Sequence, residues 1–108
     1  MPDLVIRDAT VADIPALEHL MDEDEIGAAR DPAVTTREDH VSALVEIDAD
    51  ANNRLFVAER GGNVVGTYQL TFIPGIARRG NRRGLIESVR VARSARGGGI
   101  GAAMIAAL

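Results

Sequence analysis

The stretch from Gly84 to Leu108 places the tightest limit on how this chain folds. It opens with the apolar and β-branched run Leu85–Val91, which is typical of a strand. Four glycines then fall within five residues, at positions 97, 98, 99 and 101, and the residues after them carry no polar side chain. Since glycine accepts backbone conformations closed to other residues, the pattern predicts a strand, a tight loop and a helix that begins near Gly99.

Such a loop is suited to an anion. The first turn of a helix leaves several backbone N–H groups without a partner, and the helix dipole adds partial positive charge there. Arg96 directly precedes the glycines and carries a fixed positive charge that matches phosphate oxygens. We therefore expect a phosphate-bearing ligand at this loop.

Two other interpretations of the glycines compete with this one. Gly97, Gly99 and Ala102 also fit the G-x-G-x-x-A form of a dinucleotide fingerprint. That motif needs its glycine turn directly after the strand and an acidic residue about 20 positions further on. Because Ala92–Arg96 intervene and the sequence ends at Leu108, we reject it. A glycine-rich connection that binds nothing remains the alternative.

These residues also carry a family resemblance. The run Arg96–Gly101, RGGGIG, resembles the R/Q-x-x-G-x-G/A signature of the GNAT superfamily of acyl-CoA-dependent N-acyltransferases. Ile86–Val91 is similar to that family's fourth strand, and Ile6–Thr10 with Asp13 to its first strand and helix. The resemblance implies an α+β fold, an α/β sandwich in the order β-α-α-β-β-β-α. Its mixed, mainly antiparallel sheet would be flanked by helices and lack the C-terminal strands, so that residues 1–108 form a single, incomplete GNAT domain.

The first half of the chain predicts one strand and two helices. Leu4–Arg7 is a short strand, and Thr10 or Asp13 caps the helix after it. The apolar residues expected on the buried face of that helix are Ile14, Leu17 and Leu20 or Met21. Thr36 and Asp39 form a capping pair for a second helix. The apolar residues of that helix are Val41, Leu44 and Val45.

The second half predicts a hairpin that leads towards the glycine loop. Leu55–Arg60 and Val64–Phe72 have strand composition and are joined by Gly61-Gly62-Asn63, a strong hairpin signal. Segments 27–34, 48–53 and 76–83 are predicted as loops or turns from their composition.

The resemblance assigns residues to a cosubstrate, acetyl-CoA. The main chain of Val89 and Val91, on either side of Arg90, would pair with the pantetheine arm like an added strand. Backbone N–H groups of the loop, together with Arg96, would hold the pyrophosphate. The loop residues in this set are Gly97, Gly98, Gly99, Ile100, Gly101 and Ala102.

Glu87 is the candidate for the base that deprotonates the acceptor amine, directly or through water. Simple alternation places it on one strand face with Leu85, Val89 and Val91, opposite Arg90. A carboxylate on an apolar face needs a partner or a function, and partial burial would raise its pKa. A bulge, which is frequent in this strand of the family, would change that parity. A salt bridge from Glu87 to a neighbouring arginine is the alternative.

The implied reaction is transfer of an acetyl group from acetyl-CoA to a primary amine of a small molecule or a protein. The alternative is a non-catalytic acyl-CoA-binding or assembly module. In the family, a tyrosine of a later helix usually protonates the leaving thiolate. Tyr68, the sole tyrosine, is expected to pack in the core. His19 and His40 lack metal-ligand spacing and are assigned surface or capping roles, and no metal site is predicted.

Charge is polarised along the chain. Residues 1–50 hold 3 arginines and 14 acidic residues, whereas residues 51–108 hold 9 arginines and 2 acidic residues. An anionic cosubstrate would be drawn to the second half and a cationic acceptor to the first, unless the acidic residues are merely solvated surface. The overall acidity and the scarcity of aromatic residues disfavour nucleic acid as a partner.

The remaining expectations concern location and assembly. Cysteine is absent, and no segment has the character of a signal peptide or a membrane span, so we predict a cytoplasmic protein without membrane contact. The uniformly apolar helix after Gly99 would be exposed in an isolated chain, as would a sheet edge. We therefore expect either a fragment of a longer domain or a homo-oligomer, at least a dimer, in which a second subunit covers these surfaces.

Overall fold

The computed structural model describes residues 3–23, 36–76 and 83–107. Its helices and strands follow the predicted order β-α-α-β-β-β-α. The elements are β1 (Leu4–Asp8), α1 (Ile14–Glu23), α2 (Arg37–Ala49), β2 (Asn53–Arg60), β3 (Asn63–Ile73), β4 (Arg83–Val91) and α3 (Ile100–Ala106). The predicted loop at 27–34 and positions 77–82 of the loop at 76–83 lie outside the described residues.

The four strands form one sheet in the order β1-β2-β3-β4, and every described pair is antiparallel. The β2–β3 hairpin turns on two residues, Gly61 and Gly62, whose φ angles of 59° and 82° are those of a primed turn. Asn63 belongs to β3 and pairs with Arg60, so the predicted three-residue connection was one residue too long. The α+β class expected from the sequence is confirmed.

Capping residues set the start of both N-terminal helices. The Thr10 N–H donates to Asp13 Oδ2 at 2.7 Å, and a short 3₁₀ turn, Val11–Asp13, leads into α1. The Asp39 N–H donates to Thr36 Oγ1 at 3.2 Å, while the Thr36 N–H donates to the Asp39 carboxylate at 2.9 Å. This reciprocal pair is the predicted capping box. Helix α2 continues to Ala49, two residues into the segment predicted as a turn.

Helices α1 and α2 cover one face of the sheet. Their buried residues Ile14, Leu17 and Leu44 form a cluster with Val57 of β2. Val45, one of the three apolar residues from which this helix was predicted, is 57% exposed. Adjacent helical residues point about 100° apart, so the helix cannot bury both Leu44 and Val45 against one sheet.

Helix α3 covers the opposite face. Ile100 and Met104 are fully buried and pack in a cluster that includes Tyr68 of β3. A Cβ atom placed on Gly66 would lie 2.9 Å from the Met104 sulfur, which explains a glycine in mid-strand. Tyr68 is 1% exposed and stacks on Phe56 with ring centroids 5.1 Å apart, which confirms its expected packing role. Ile105, on the outer side of α3, is 45% exposed.

Candidate functional site: a bulged strand, a glycine loop and a cavity

The pairing of β3 with β4 contains a bulge at Ser88 and Val89. Thr67 is opposite Arg90 and Gln69 is opposite Glu87, so the two residues of β4 between them face the single residue Tyr68. Ser88 has a φ of 56°, the one non-glycine residue in the described chain with a positive value. A left-handed conformation is costly for such a residue and is held only by its surroundings, a feature that concentrates at functional sites.

The bulge corrects the predicted face of Glu87. Residues opposite one another in a ladder share a face, so Glu87 lies with Gln69 and Arg90 on the side covered by α1 and α2. Simple alternation had placed Glu87 with Val89 and Val91 and opposite Arg90, which is wrong because the extra residue reverses the parity. Glu87 is also exposed, and no arginine among the described residues pairs with it. The argument from burial on an apolar face therefore does not apply.

The glycine loop has the geometry of an anion site. A 3₁₀ turn, Arg93–Ala95, follows β4, and the backbone then passes through Gly97 and Gly99 with φ angles of 85° and 80°. The first hydrogen bond of α3 runs from the Ala103 N–H to the Gly99 carbonyl at 3.0 Å. Within the described part of the chain, five amides before it donate to no acceptor: those of Gly97, Gly99, Ile100, Gly101 and Ala102. The Gly98 N–H makes only a long contact of 3.4 Å, with the Ala95 carbonyl.

The outer edge of β4 carries main-chain groups that no described strand pairs. The Ala92 N–H donates to the Val65 carbonyl of β3 at 2.8 Å. Because successive residues of a strand direct their backbone groups to alternate sides, those of Val91 point away from β3. The Val91 carbonyl instead accepts from Arg96 Nε at 3.1 Å. Two of the predicted cosubstrate-binding residues, Val91 and Arg96, therefore contact each other.

A cavity of about 170 Å³ lies between α1, α2 and the bulged part of the sheet. Its apolar walls include Ile14, Leu17, Met21, Leu44, Ile47 and Leu55. Its polar lining comprises Glu18, His40, Thr67, Gln69, Ser88 and Arg90. Because Ser88 lines it, the cavity borders the bulge of β4 at Ser88 and Val89.

Glu18 and His40 form the polar pair that joins the two helices at this cavity. His40 Nδ1 lies 2.7 Å from Glu18 Oε2, and Arg37 donates to Glu18 Oε1 through Nε at 3.0 Å and Nη2 at 2.6 Å. The hydrogen bonds from Arg37, followed by the one from His40, hold the pKa of Glu18 below its ordinary value. Glu18 is thus ionised throughout the neutral range.

Sequence reasoning assigned His40 only a surface or capping role and did not single out Glu18. The two residues are 22 positions apart on different helices, so no local spacing indicates that they meet. The available signal was weak: Glu18 is polar although its neighbours Leu17 and Leu20 belong to the buried face. Only the packing of α1 on α2 brings the pair together.

Among the described residues, no group of three or more histidine and acidic side chains is placed to hold a metal ion. In the described segments, no helix combines the length and apolar character that a membrane crossing requires.

An α+β sandwich with a bulged fourth strand, an amide-lined glycine loop and an adjoining cavity is the arrangement that the resemblance to acyl-CoA-dependent acyltransferases implied. Comparison with known proteins agrees. Residues 14–108 match the model of the acetyltransferase (GNAT) family. This chain belongs to the GNAT acetyltransferase family, which acts by acetyl transfer and uses acetyl-CoA.

Solved structures support the same assignment. A transcriptional regulator from Bacillus halodurans is 36% identical and superposes with a TM-score of 0.83 over 95% of this chain and 69% of its own. An acetyltransferase from Trypanosoma brucei is 25% identical, with a TM-score of 0.75 over 97% of this chain and 71% of its own. A Clostridium acetobutylicum protein described as an acetyltransferase, solved with acetyl-CoA, shares the fold at 20% identity, with a TM-score of 0.70 over 96% and 70% of the two chains. A search of curated protein sequences found no match.

Proposed function

We propose that this protein transfers an acetyl group from acetyl-CoA to a primary amine that occupies the cavity between α1, α2 and β4. The observation that carries the proposal is the set of five amides, those of Gly97 and of Gly99 to Ala102, that donate to no acceptor in the described chain, in the loop that follows the strand bordering the cavity. A phosphate oxygen is the acceptor that such amides and a helix N-terminus favour.

The chain's own residues suit each part of the cosubstrate. The amides of the glycine loop would bind the pyrophosphate. Arg96 has five N–H donors, so its Nε contact to the Val91 carbonyl leaves the two Nη groups for a phosphate oxygen. The outward main-chain groups at Val89 and Val91, with Arg90 between them, would pair with the pantetheine arm as an edge strand does. Acetyl-CoA supplies the acetyl group.

The chemistry requires a base and an acceptor in the neutral form. An ammonium ion first loses a proton, and the amine nitrogen then forms a bond to the acetyl carbon while the thioester C–S bond breaks. The sulfur takes up the proton that the nitrogen releases, which gives an amide and free CoA thiol. Glu87 shares the sheet face of Gln69 and Arg90, which line the cavity, and is exposed to solvent. We propose that it receives the first proton, through a water molecule.

The second candidate function is a non-catalytic acyl-CoA-binding or assembly module. It would use the same glycine loop, so only catalytic turnover distinguishes it from the acetyltransferase. Calorimetry with acetyl-CoA tests the loop, and release of CoA thiol in the presence of amines tests the reaction. Binding with amine-dependent thiol release supports the acetyltransferase. Binding without release for any amine supports the module, and the absence of binding contradicts both.

A further inference from the structure

We infer that the acceptor is a small monoamine with an apolar body, of about the size of a benzene ring or a four- to six-carbon chain. This inference rests on the proposed acetyl transfer and names the substrate class of the same cavity. It follows from the size of the cavity, the walls that line it, and the partners that its polar groups already have.

The volume sets the size of the group that the cavity can enclose. The cavity measures about 170 Å³. An engineered apolar cavity of roughly 150 Å³ in another protein accommodates benzene, so a single ring or a short branched chain fits here. A disaccharide, a nucleoside or a peptide segment of several residues exceeds this space, so most of such a ligand would lie outside the cavity and gain nothing from its walls.

The walls are apolar where the acceptor body would lie. Three of these wall residues are buried: Ile14 is 3% exposed, Leu17 is 7% exposed and Leu44 is 2% exposed. The protein around this part of the cavity is therefore closely packed. Met21, Ile47 and Leu55 complete this part of the lining. Transfer of a ligand's apolar surface from water to such walls favours binding, whereas burial of hydroxyl groups there disfavours binding because they lose their hydration.

The polar groups of the lining are largely used within the protein. Thr67 Oγ1 donates to the Phe56 carbonyl at 2.7 Å, and Gln69 Nε2 donates to Asn53 Oδ1 at 3.1 Å. Glu18 accepts from Arg37 and lies against His40. A polyhydroxylated amine such as glucosamine would find few free partners, and its own polar groups would be left unpaired at a cost.

Charge argues against a second ammonium group. Glu18 is the one carboxylate among the described lining residues, and its charge is matched by Arg37 at 2.6 Å. The acidic residues of the first half that sequence analysis linked to a cationic acceptor include Asp8 and Asp13, and both form ion pairs with arginines elsewhere. A second ammonium group would therefore find no unpaired carboxylate among the described lining residues and would lose its hydration without compensation.

The Ser88 end of the cavity is where the amino group would point. Ser88 lies at the bulge of β4, and its hydroxyl makes no hydrogen bond with the described residues. An amine nitrogen at this end would lie beside the strand edge proposed to hold the pantetheine arm, with its apolar body directed between α1 and α2. In this orientation, the length of the carbon chain attached to the nitrogen determines how much of the amine the cavity encloses.

The first test compares matched amines by release of CoA thiol from acetyl-CoA. From ethylamine to pentylamine, kcat/KM should rise about fourfold for each methylene that enters the cavity. Butylamine should exceed both 3-amino-1-propanol and 1,4-diaminobutane by about tenfold or more, since these replace the buried end with a hydroxyl or a second ammonium. Equal or better rates with the hydroxylated amine or the diamine would overturn the inference.

The second test fills the cavity. Ala43 is exposed on α2 and lines the cavity, so Ala43→Leu should narrow it without disturbing the core. We expect a loss of about tenfold or more for pentylamine and benzylamine and little change for ethylamine. Ala49→Leu makes the same change at an exposed position on α2 outside the cavity lining and should leave both rates unaltered. Equal effects of the two variants on pentylamine would contradict the assignment of this cavity.

A third measurement separates this inference from the proposed reaction. Calorimetry with butylamine and 1,4-diaminobutane, in the presence of CoA, reports acceptor binding without turnover. Binding of butylamine that Ala43→Leu weakens supports the acceptor class even if no thiol is released, in which case the proposed reaction alone fails. Turnover with polar amines alone leaves the reaction standing and overturns the inference. Absence of both amine binding and turnover overturns it as well.

Discussion

His40 Nδ1 lies 2.7 Å from Glu18 Oε2, a contact that joins the first turn of α2 to the middle of α1 at the wall of the cavity. The same carboxylate also accepts from Arg37, so one side chain of α1 fixes two of α2. The spacing of these helices determines the width of the cavity that they line. The contact thereby links an electrostatic feature of the fold to the cavity in which we propose that the acceptor binds.

Glu18→Gln should raise KM for the acceptor amine more than KM for acetyl-CoA, with a smaller effect on kcat. The amide cannot carry the charge that Arg37 and His40 share, so α1 and α2 lose a common anchor. Because the pKa of Glu18 lies below 4.5, the contact in the wild type is fully present above that pH and is lost as pH falls through the lower value. Steady-state kinetics with each substrate varied in turn, together with unfolding between pH 3 and 7, provide the check. A rise confined to KM for acetyl-CoA would refute it.

Gly97→Ala should weaken binding of CoA by about tenfold. The φ of 85° at Gly97 lies where a Cβ atom is strained by about 1 kcal/mol, even though nothing lies within 4 Å of that atom. The loop relieves this strain by moving its amides. Gly62→Ala is the matched control, since its φ of 82° and open surroundings are the same, but it lies in the β2–β3 turn. Both variants should lose similar stability, and only Gly97→Ala should change the Kd for CoA measured by calorimetry.

Glu87→Gln should lower kcat on the acidic side of the pH profile, where the ammonium form of the acceptor predominates, and should leave the Kd for acetyl-CoA unchanged. The amide cannot accept the proton that the proposed base removes. Glu46→Gln, at an exposed position of α2 outside the cavity lining, controls for the loss of one negative charge. A pH–rate profile identical to that of the wild type would remove Glu87 from the mechanism.

Asp13→Asn should lower the free energy of unfolding by about 2 to 3 kcal/mol. Asp13 accepts two hydrogen bonds of 2.8 Å from the Arg7 guanidinium and one of 2.7 Å from the Thr10 N–H, which caps the turn before α1. The Arg7 hydrogen bond is the main reason that the pKa of Asp13 lies below its ordinary value of 3.8. The contribution of this hydrogen bond to the free energy of unfolding is therefore present above pH 3.8 and is lost as pH falls through the lower, folded-state pKa of Asp13.

The exposed pair Asp8–Arg54 provides the control for Asp13. Its side chains are 57% and 52% exposed, and its closest N–O distance is 2.7 Å. Asp8→Asn should cost under about 1 kcal/mol, because solvent screens the pair. Urea unfolding at pH 7 and at pH 3, below the ordinary pKa of Asp13, measures both variants, and equal losses at pH 7 would show that the capping contact adds nothing.

Light scattering should show at least a dimer. Ile105 is 45% exposed on the outer side of α3, beside Ala102 and Ala106, which are also exposed. A second subunit that covers this apolar surface would remove it from water. Ile105→Lys should shift the equilibrium towards the monomer, whereas the same change at Val45, exposed on α2, should not. A clean monomer of the unaltered chain contradicts the prediction.

Local chemistry determined a large part of this structure. The capping pair Thr36 and Asp39 placed the start of α2, and the two glycines at 61 and 62 placed the β2–β3 hairpin, because each acts through neighbouring backbone groups. The glycine loop from Gly97 was likewise predictable from the sequence, since the positive φ angles that it requires exclude most other residues. These features involve interactions over a few positions, and the element order followed from them.

Tertiary structure decided the rest. The bulge at Ser88, which places Glu87 and Arg90 on one face, depends on how β4 pairs with β3, and alternation along one strand does not contain that information. The Glu18–His40 contact requires two helices to pack side by side across 22 positions of sequence. Strand register and helix packing arise from contacts distant in the chain, so the cavity and its charge balance emerged only once the sheet and its helices were assembled.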